Sequence, residues 1–276
     1  MIKLYQYNIE FTAKKPRKID GFSGNAIRGS FGQALHKTNK KIYEDLFEKN
    51  KKIPGKIKAN VQDNPPAPYI IDIVKFDTHI NKGQKLIFTL KLIGDYAKLI
   101  SKLYEVFEKM AKNKIAGIEF EFSGISKVNN SKTGESFFYL DDYKNEKFNT
   151  RDFTILFQSP ALLESNKQLI SDFSFNKIFR YLDQRLYVLD QLYGGGIYKQ
   201  EENVPEISLN KIYLSKTGIL RKPAQKQQRL LMCWKGKLEY HIREKAGDIL
   251  PLLLFGQQIQ IGSGTSFGLG KYKLIY

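Results

Sequence analysis

KLIFTLKLIGDYAKLISKLYEVFEKMAKNKIAGIEFEFSGISKV, residues 85–128, decides the fold. Its first nine residues, KLIFTLKLI (85–93), carry the apolar density of a well-covered strand. After Gly94, the residues Leu99, Ile100, Leu103, Val106, Phe107 and Met110 recur at a/d spacing. That spacing predicts one helix with a single apolar seam. AGIEFEFSGISKV (116–128) alternates apolar and polar, which predicts a closing strand. Upstream, YIIDIVKF (69–76) reads as the strand that precedes this block, and residues 2–12 alternate as a half-buried strand does. Between them Ile27, Phe31, Ala34 and Leu35 fall at i, i+4, i+7 and i+8, predicting a helix from Ser23 to about Lys37 with Ser23 as its N-cap. Residues 39–68, Lys-rich and closed by PPAP, read as a surface excursion. The order is β-α-β-β-α-β, the ferredoxin-like unit.

The same order then repeats. Residues 129–151 are polar and turn-rich and carry the expected domain boundary. DFTILFQSP (152–160) opens the second half as a strand. Residues 172–193 predict a long helix with Phe175, Ile178, Phe179, Leu182, Leu186, Leu189 and Leu192 on one face, stopped by Gly194, Gly195 and Gly196. Strands near 207–220 and 227–242 follow, then a short helix around 246–255 with Pro251 inside it, then a final β segment. The expected fold is α+β: two tandem ferredoxin-like, RRM-like βαββαβ domains, residues 1–145 and 146–276.

Charge narrows the function. The chain has 45 Lys+Arg against 28 Asp+Glu, a formal +17, which points to an anionic partner such as nucleic acid. No apolar run approaches the ~18 residues of a membrane span, and the N-terminal residues lack a signal peptide's apolar block. A soluble, cytoplasmic protein is expected. Cys233 is the single cysteine, so internal disulfides and thiolate zinc clusters are excluded. The acidic residues form no cluster suited to a divalent metal, and no cofactor is implied.

Three groups of residues stand out. Between Glu206 and Glu239 there is no acid, while Lys211, Lys216, Arg221, Lys222, Lys226, Arg229, Lys235 and Lys237 crowd a predicted hairpin. Like charges across paired strands repel, and a nucleic-acid backbone would relieve that repulsion and release counterions. A solvated basic face is the plainer alternative. The terminal GSGTSFGLGK sets Gly262, Gly264, Gly268 and Gly270 among Ser263, Thr265, Ser266 and Lys271. Such a loop suits either a phosphate, approached through exposed N–H groups, or a turn that needs glycine for geometry alone. His36 stands at the end of the first helix beside Lys37, Lys40 and Lys41. It could move a proton while a lysine stabilises a pentavalent phosphorane, or simply cap helix carbonyls. His241, in LEYHIREK, is the second catalytic candidate, and His79 reads as surface. Lys14, Lys15, Arg17 and Lys18 form a smaller basic group after the first strand.

GNAIRGSFGQALH (24–36), PPAPYII (65–71) and GSGTSFGLGKY (262–272), on two tandem ferredoxin-like units, resemble the RAMP superfamily of CRISPR-associated proteins. Within it the chain is most similar to the endoribonuclease that cuts precursor CRISPR RNA in each repeat. The resemblance implies metal-independent cleavage, with the ribose 2′-hydroxyl attacking the scissile phosphate to leave a 2′,3′-cyclic phosphate and a 5′-hydroxyl. Several such enzymes place a histidine at or just after the first helix, which His36 matches, with Lys40 and Lys41 beside it. The implied partners are CRISPR repeat RNA and its crRNA product, and a CRISPR effector complex. A non-catalytic RNA-coating subunit of that complex is the alternative. Relatives often carry cysteines in the insertion after the first helix, and none occur here.

Overall fold

The structure is a computed structural model describing residues 1–18, 23–47, 65–75, 79–165, 168–221, 229–243 and 249–276. The chain divides into two compact units, Lys3–Phe137 and Phe138–Tyr276, the latter joined by Met1–Ile2.

In the first unit, β1 (Leu4–Ala13) leads to α1 (Ser23–Thr38) and α2 (Lys40–Phe47), then β2 (Tyr69–Lys75) and β3 (Lys85–Ile93). A 3-10 helix (Gly94–Lys102), α3 (Tyr104–Lys112) and β4 (Phe120–Val128) complete it. The sheet order is β2-β3-β1-β4, antiparallel throughout, which is the ferredoxin-like ladder. Register places Tyr7 opposite both Leu90 and Lys127, and Ile9 opposite Phe88 and Ile125. Alternation then sends Tyr7, Ile9 and Phe11 to one face, where they meet α1 and α3. Phe31 stacks on Phe107 at 5.7 Å, and Phe11 lies on Phe88 at 6.1 Å.

Three expectations are corrected here. The helix after Gly94 is not continuous: the Leu103 N–H bonds to the Ile100 carbonyl, three residues back, and α-helix begins only at Tyr104. An apolar repeat of three and four residues fits a 3.0-residue turn as well as a 3.6-residue one, so the seam alone could not separate them. Leu103, Val106, Phe107 and Met110 are buried, while Leu99 and Ile100 are only half-buried. The closing strand starts at Phe120, because Lys114, Ala116 and Gly117 all take positive φ in a turn pinned by the Ile115–Ile118 bridge. The excursion after α1 also contributes to the core. Ile42 and Leu46 of α2, one turn apart, are buried beneath their lysine neighbours.

In the second unit, β5 (Asp152–Phe157), α4 (Phe175–Tyr193), β6 (Ile207–Arg221), β7 (Arg229–Ile242), α5 (Ile249–Ile259) and β8 (Tyr272–Ile275) repeat the order. The sheet runs β6-β7-β5-β8, again antiparallel. Pro251 sits in the first turn of α5, where its missing N–H costs nothing. Six of the seven seam residues of α4 are buried and Leu192 is half-buried, and positive φ at Gly195 and Gly196 turns the chain beyond it. Two carboxylates on α4, Asp183 and Asp190, are fully buried. They strap down the following loop: Asp190 accepts the Tyr198 N–H at 2.7 Å, and Asp183 accepts the Tyr198 hydroxyl at 2.8 Å. Burial first, then the Asp183 charge, pushes the Tyr198 phenol far above its ordinary pKa.

Phe107 joins the first unit's aromatic core to α3 and is 0 % exposed. Phe107→Ala should cost about 3–5 kcal/mol, read as a lower urea midpoint with an unchanged slope.

Candidate nucleic-acid interface and cleavage site

His36 lies in the last turn of α1, exposed. The chain then breaks sharply at Asn39, which caps α2 twice. Its Oδ1 accepts the Ile42 N–H and its carbonyl accepts the Tyr43 N–H, both at 3.0 Å. This elbow brings Tyr43 edge-on to the His36 ring, with centroids 4.9 Å apart and an 86° interplanar angle. Tyr43 stacks on Phe47 at 5.2 Å, and Phe47 packs against Phe31 and Tyr69. The Arg28 guanidinium covers the Phe47 ring at 4.9 Å. His36 is thus an accessible imidazole held against an aromatic column rooted in the core. Lys40 turns toward Glu44 at 3.9 Å, whereas Lys37 and Lys41 are exposed and have no ion-pair partner among the described residues.

The basic hairpin is a continuous ladder from Ile207 opposite Ile242 out to Arg221 opposite Arg229. β5 pairs with β7 only over Lys237–His241, and farther out one bridge joins Ala161 to Trp234. The outer hairpin therefore runs on past the four-stranded ladder. Register sets Arg221 directly across from Arg229 at its end. Lys216 and Arg229 are exposed. Lys222 and Lys226 lie outside the described residues. Lys216 sits 5.5 Å over Trp234, and Lys237 sits 4.6 Å over Tyr213. Exposed Leu220, Leu230 and Met232 accompany them. Cations over aromatic faces on an exposed ladder can take both phosphates and stacked bases. The aromatic partners were present in the sequence as KIYLSK and CWKGK, and only the strand pairing reveals that they sit beneath lysines.

Lys211 and His241 lie at the other end of the hairpin. His241 Nδ1 is 2.8 Å from Asp152 Oδ1, and Asn210 Nδ2 approaches the same oxygen at 3.4 Å. A carboxylate on Nδ1 fixes the ring and leaves Nε2 for proton exchange, as in nucleophile-activating pairs. Asp152, Thr154, Asn210, Lys211, Glu239 and Tyr276 border a shallow depression of about 320 Å³ beside it. Lys211 stands opposite Glu239, whose carboxylate is engaged by Lys237 at 2.6 Å. Asp152 lies 89 positions from His241 in the chain, so sequence reading had no means of pairing them.

The terminal loop divides residue by residue. Gly262, Gly264, Gly268 and Gly270 all take φ between +76° and +87°. At Gly270 a Cβ would stand 1.8 Å from the Ile261 carbonyl oxygen, and at Gly262 it would stand 2.4 Å from that of Leu162. The N–H groups of Ser263, Gly268 and Gly270 bond to Leu162, Thr265 and Pro160 carbonyls, and that of Lys271 bonds to the Ser159 hydroxyl. Those glycines serve the turn. The N–H groups of Gly264, Thr265 and Ser266 have no hydrogen-bond acceptor among the described residues. Ser263 is exposed and Ser266 half-buried. Three successive N–H groups at the tip, and that of Gly262, have no acceptor among the described residues.

Comparison with known proteins fits this arrangement. Residues 2–150 match the AF_1859_N family, described as an N-terminal domain, and residues 155–272 match the CRISPR-associated endoribonuclease Cas6. Through residues 155–272 the chain belongs to the CRISPR-associated endoribonucleases. Two Cas6 product complexes are similar over 100 % of both chains with TM-scores of 0.59, at 10 % and 15 % identity. Thermus thermophilus Cas6 is similar over 100 % of this chain and 99 % of that one, with a TM-score of 0.57 and 10 % identity. These likenesses show the shared tandem ferredoxin-like fold. A curated protein, the 25.3 kDa vesicle transport protein SEC22-1 of Arabidopsis thaliana, is 31 % identical over 104 residues, 37 % of this chain. The chain covers 45 % of that protein's length. No helix among the described residues is long and apolar enough to cross a membrane.

Gly270→Ala should lower the melting temperature sharply, because left-handed strain of about 1–2 kcal/mol adds to a clash with backbone. Ser266→Ala, at a position with ordinary φ, should leave the melting temperature within a degree or two. Differential scanning calorimetry on the two variants reads the contrast.

Proposed function

We propose that this protein cuts CRISPR repeat RNA without a metal ion, releasing crRNA. The ribose 2′-oxygen would attack the adjacent phosphorus while the P–O5′ bond breaks. One group removes the 2′-hydroxyl proton and another protonates the departing 5′-oxygen. The products are a 2′,3′-cyclic phosphate and a 5′-hydroxyl. The observation that carries this reading is His36: an exposed imidazole set at right angles to the Tyr43 ring, with Lys37 and Lys41, which have no ion-pair partner among the described residues, in the adjoining turns. A lysine near the scissile phosphate would stabilise the charge that grows on its oxygens. Lys41 suits that role better than Lys40, which Glu44 engages. His241, oriented by Asp152, is the second proton carrier to test.

The basic hairpin and the tip of the glycine loop would hold the repeat's backbone. Lys211, Lys216, Arg221, Lys222, Lys226 and Arg229 supply the charge, and Lys271 follows the loop. In-line geometry is worth a large part of the rate in such reactions, so holding the RNA matters as much as proton transfer.

The test is single-turnover cleavage of repeat RNA in EDTA. Wild type should cut at one site with the stated termini. His36→Ala should slow cleavage by about 10²–10⁴-fold with RNA affinity nearly intact. His241→Ala should have the smaller effect. The reverse ranking would move the proton carrier to the Asp152–His241 pair. Tight binding with no cleavage by wild type would make the protein an RNA-coating subunit instead.

Replacing Arg221, Lys222, Lys226 and Arg229 together should flatten the salt dependence of repeat-RNA binding. Each lost phosphate contact removes about 0.7 from the slope of log affinity against log salt on a single strand. An unchanged slope would mean that the hairpin does not touch RNA.

A further inference from the structure

Gly32 lies in the interior of α1, buried and without positive φ. Alanine is favoured over glycine at such a position, so the helix itself gives no reason for this residue. The reason lies in the missing Cβ. A Cβ at Gly32 would stand 2.8 Å from Phe47 Cε1, 3.3 Å from Cζ and 3.4 Å from Cδ1. These atoms form one edge of a single ring, and the nearest is well inside the ~3.5 Å of ordinary carbon–carbon contact. Gly29, three residues earlier, has nothing within 4 Å of the same position. The notch belongs to Gly32 alone of the two.

The pairing of α1 with α2 gives the notch its consequence. Arg28, Gly32 and His36 recur every four residues along one stripe of α1, and Tyr43 and Phe47 are four apart on α2. Across the Asn39 elbow, Phe47 faces Gly32 and Arg28 while Tyr43 meets His36. Phe47 has little room to yield. Phe31 at 5.7 Å and Tyr69 at 5.3 Å pack on it, and both are buried in the core. The neighbours left to move are the half-buried Arg28 and Tyr43, the latter stacked on Phe47 at 5.2 Å and 10°. A displaced Phe47 therefore displaces Tyr43, whose ring centroid is 4.9 Å from that of the imidazole. Close-packed side chains transmit strain of this kind from ring to ring.

We propose that Gly32 is a positioning residue for cleavage: its bare backbone seats Phe47, and through Tyr43 it sets the place of the His36 ring. The helix fixes only the backbone of His36, and its side-chain torsions are limited by what the ring meets. This inference rests on the reading of His36 as the proton carrier, and it adds a residue that acts only through two aromatic rings.

The test reads His36 directly by NMR. The chain has three histidines, so the imidazole Cε1–H region holds three signals, and His36→Ala identifies one of them. Tyr43→Leu should move that signal, because the ring current of Tyr43 is lost. Gly32→Ala should move it too, leaving the signals of His79 and His241 in place. The same variant should slow single-turnover cleavage of repeat RNA by up to about 10²-fold, the effect of misplacing a reacting group by an ångström, with RNA affinity unchanged. Gly29→Ala is the control and should leave the His36 signal where it is. Phe47→Leu supplies a second background, since the smaller side chain leaves room for a Cβ. There Gly32→Ala should have no further effect on signal or rate, and it should raise the melting temperature as alanine does in an open helix.

A folded Gly32→Ala variant with an unmoved His36 signal would overturn the proposal, and so would a moved signal beside wild-type cleavage. If Gly32→Ala does not fold alone, the Phe47→Leu background decides, and a further shift of the His36 signal there would overturn it. Wild-type cleavage by His36→Ala would sink the His36 reading and the positioning role with it. That outcome is distinct from a slowed His36→Ala beside an unaffected Gly32→Ala, which removes Gly32 alone.

Discussion

β5 is six residues long, and both of its edges are occupied, by β7 on one side and β8 on the other. A central strand must match every inward N–H and C=O on both edges, so its two neighbours have no freedom of register. That constraint shapes the second unit. β8 must return alongside β5 directly after α5, which leaves the intervening chain little length to reverse. The Ile261 N–H meets the Gly270 carbonyl, and the Gly270 N–H meets that of Pro160, so the two ends of the loop are fastened to each other and to the end of β5. Backbone approach this close excludes a Cβ at Gly262 and Gly270. The glycine loop is first a consequence of strand pairing, and its tip is what pairing leaves over. On the opposite edge, β5 runs out after five paired positions, and the hairpin continues alone.

Interior and surface handle charge differently. The buried carboxylate of Asp183 accepts from three groups of the 198–201 segment and that of Asp190 from the Tyr198 N–H, which turns a costly burial into a fixed loop. On the hairpin the same chain leaves Arg221 and Arg229 opposed and lysines lying over aromatic rings. Neither arrangement is the most stable one available to an isolated strand pair. Stability alone would have mixed the charges on such a face, and the proposed RNA partner would relieve their repulsion.

Much of the fold was legible because it rests on periodicity. Alternation in 2–12, apolar density in 85–93 and the seams of α1 and α4 translate directly into which side chains are buried. What failed shares one cause: features set by three-dimensional closure rather than by a repeating pattern. The 3-10 segment over Gly94–Lys102 has the same apolar spacing as an α-helix, and only the Leu103 hydrogen bond tells them apart. Ile42 and Leu46 are the buried positions of α2, and a single pair one turn apart is too short a pattern to mark a helix. In the site, charge clustering and glycine density were visible in the sequence. The contacts that give individual side chains a direction were not: Tyr43 on His36, Asp152 on His241, Arg185 on Thr265. Each joins residues from separate elements, and the last two pairs are at least 80 positions apart.

The proposed reaction explains why so little of this chain looks like a conventional active site. RNA supplies its own nucleophile, so the protein need not activate a serine, a cysteine or a water. The work left to it is to hold the 2′-oxygen, phosphorus and 5′-oxygen in line and to favour the negative charge that gathers between them. Both tasks call for donors and cations, and neither requires a cluster of acids. A chain of net charge +17, with an exposed basic ladder and three N–H groups at a loop tip that have no acceptor among the described residues, suits those two tasks. Proton transfer then needs only one or two groups of middling acidity that are held still. His36 is steadied by the edge of an aromatic ring and His241 by a carboxylate. The first makes no hydrogen bond among the described residues, and the second reserves one nitrogen for orientation. An imidazole with both nitrogens open can accept a proton at one and release it from the other, which is the freedom a single-histidine cleavage would use.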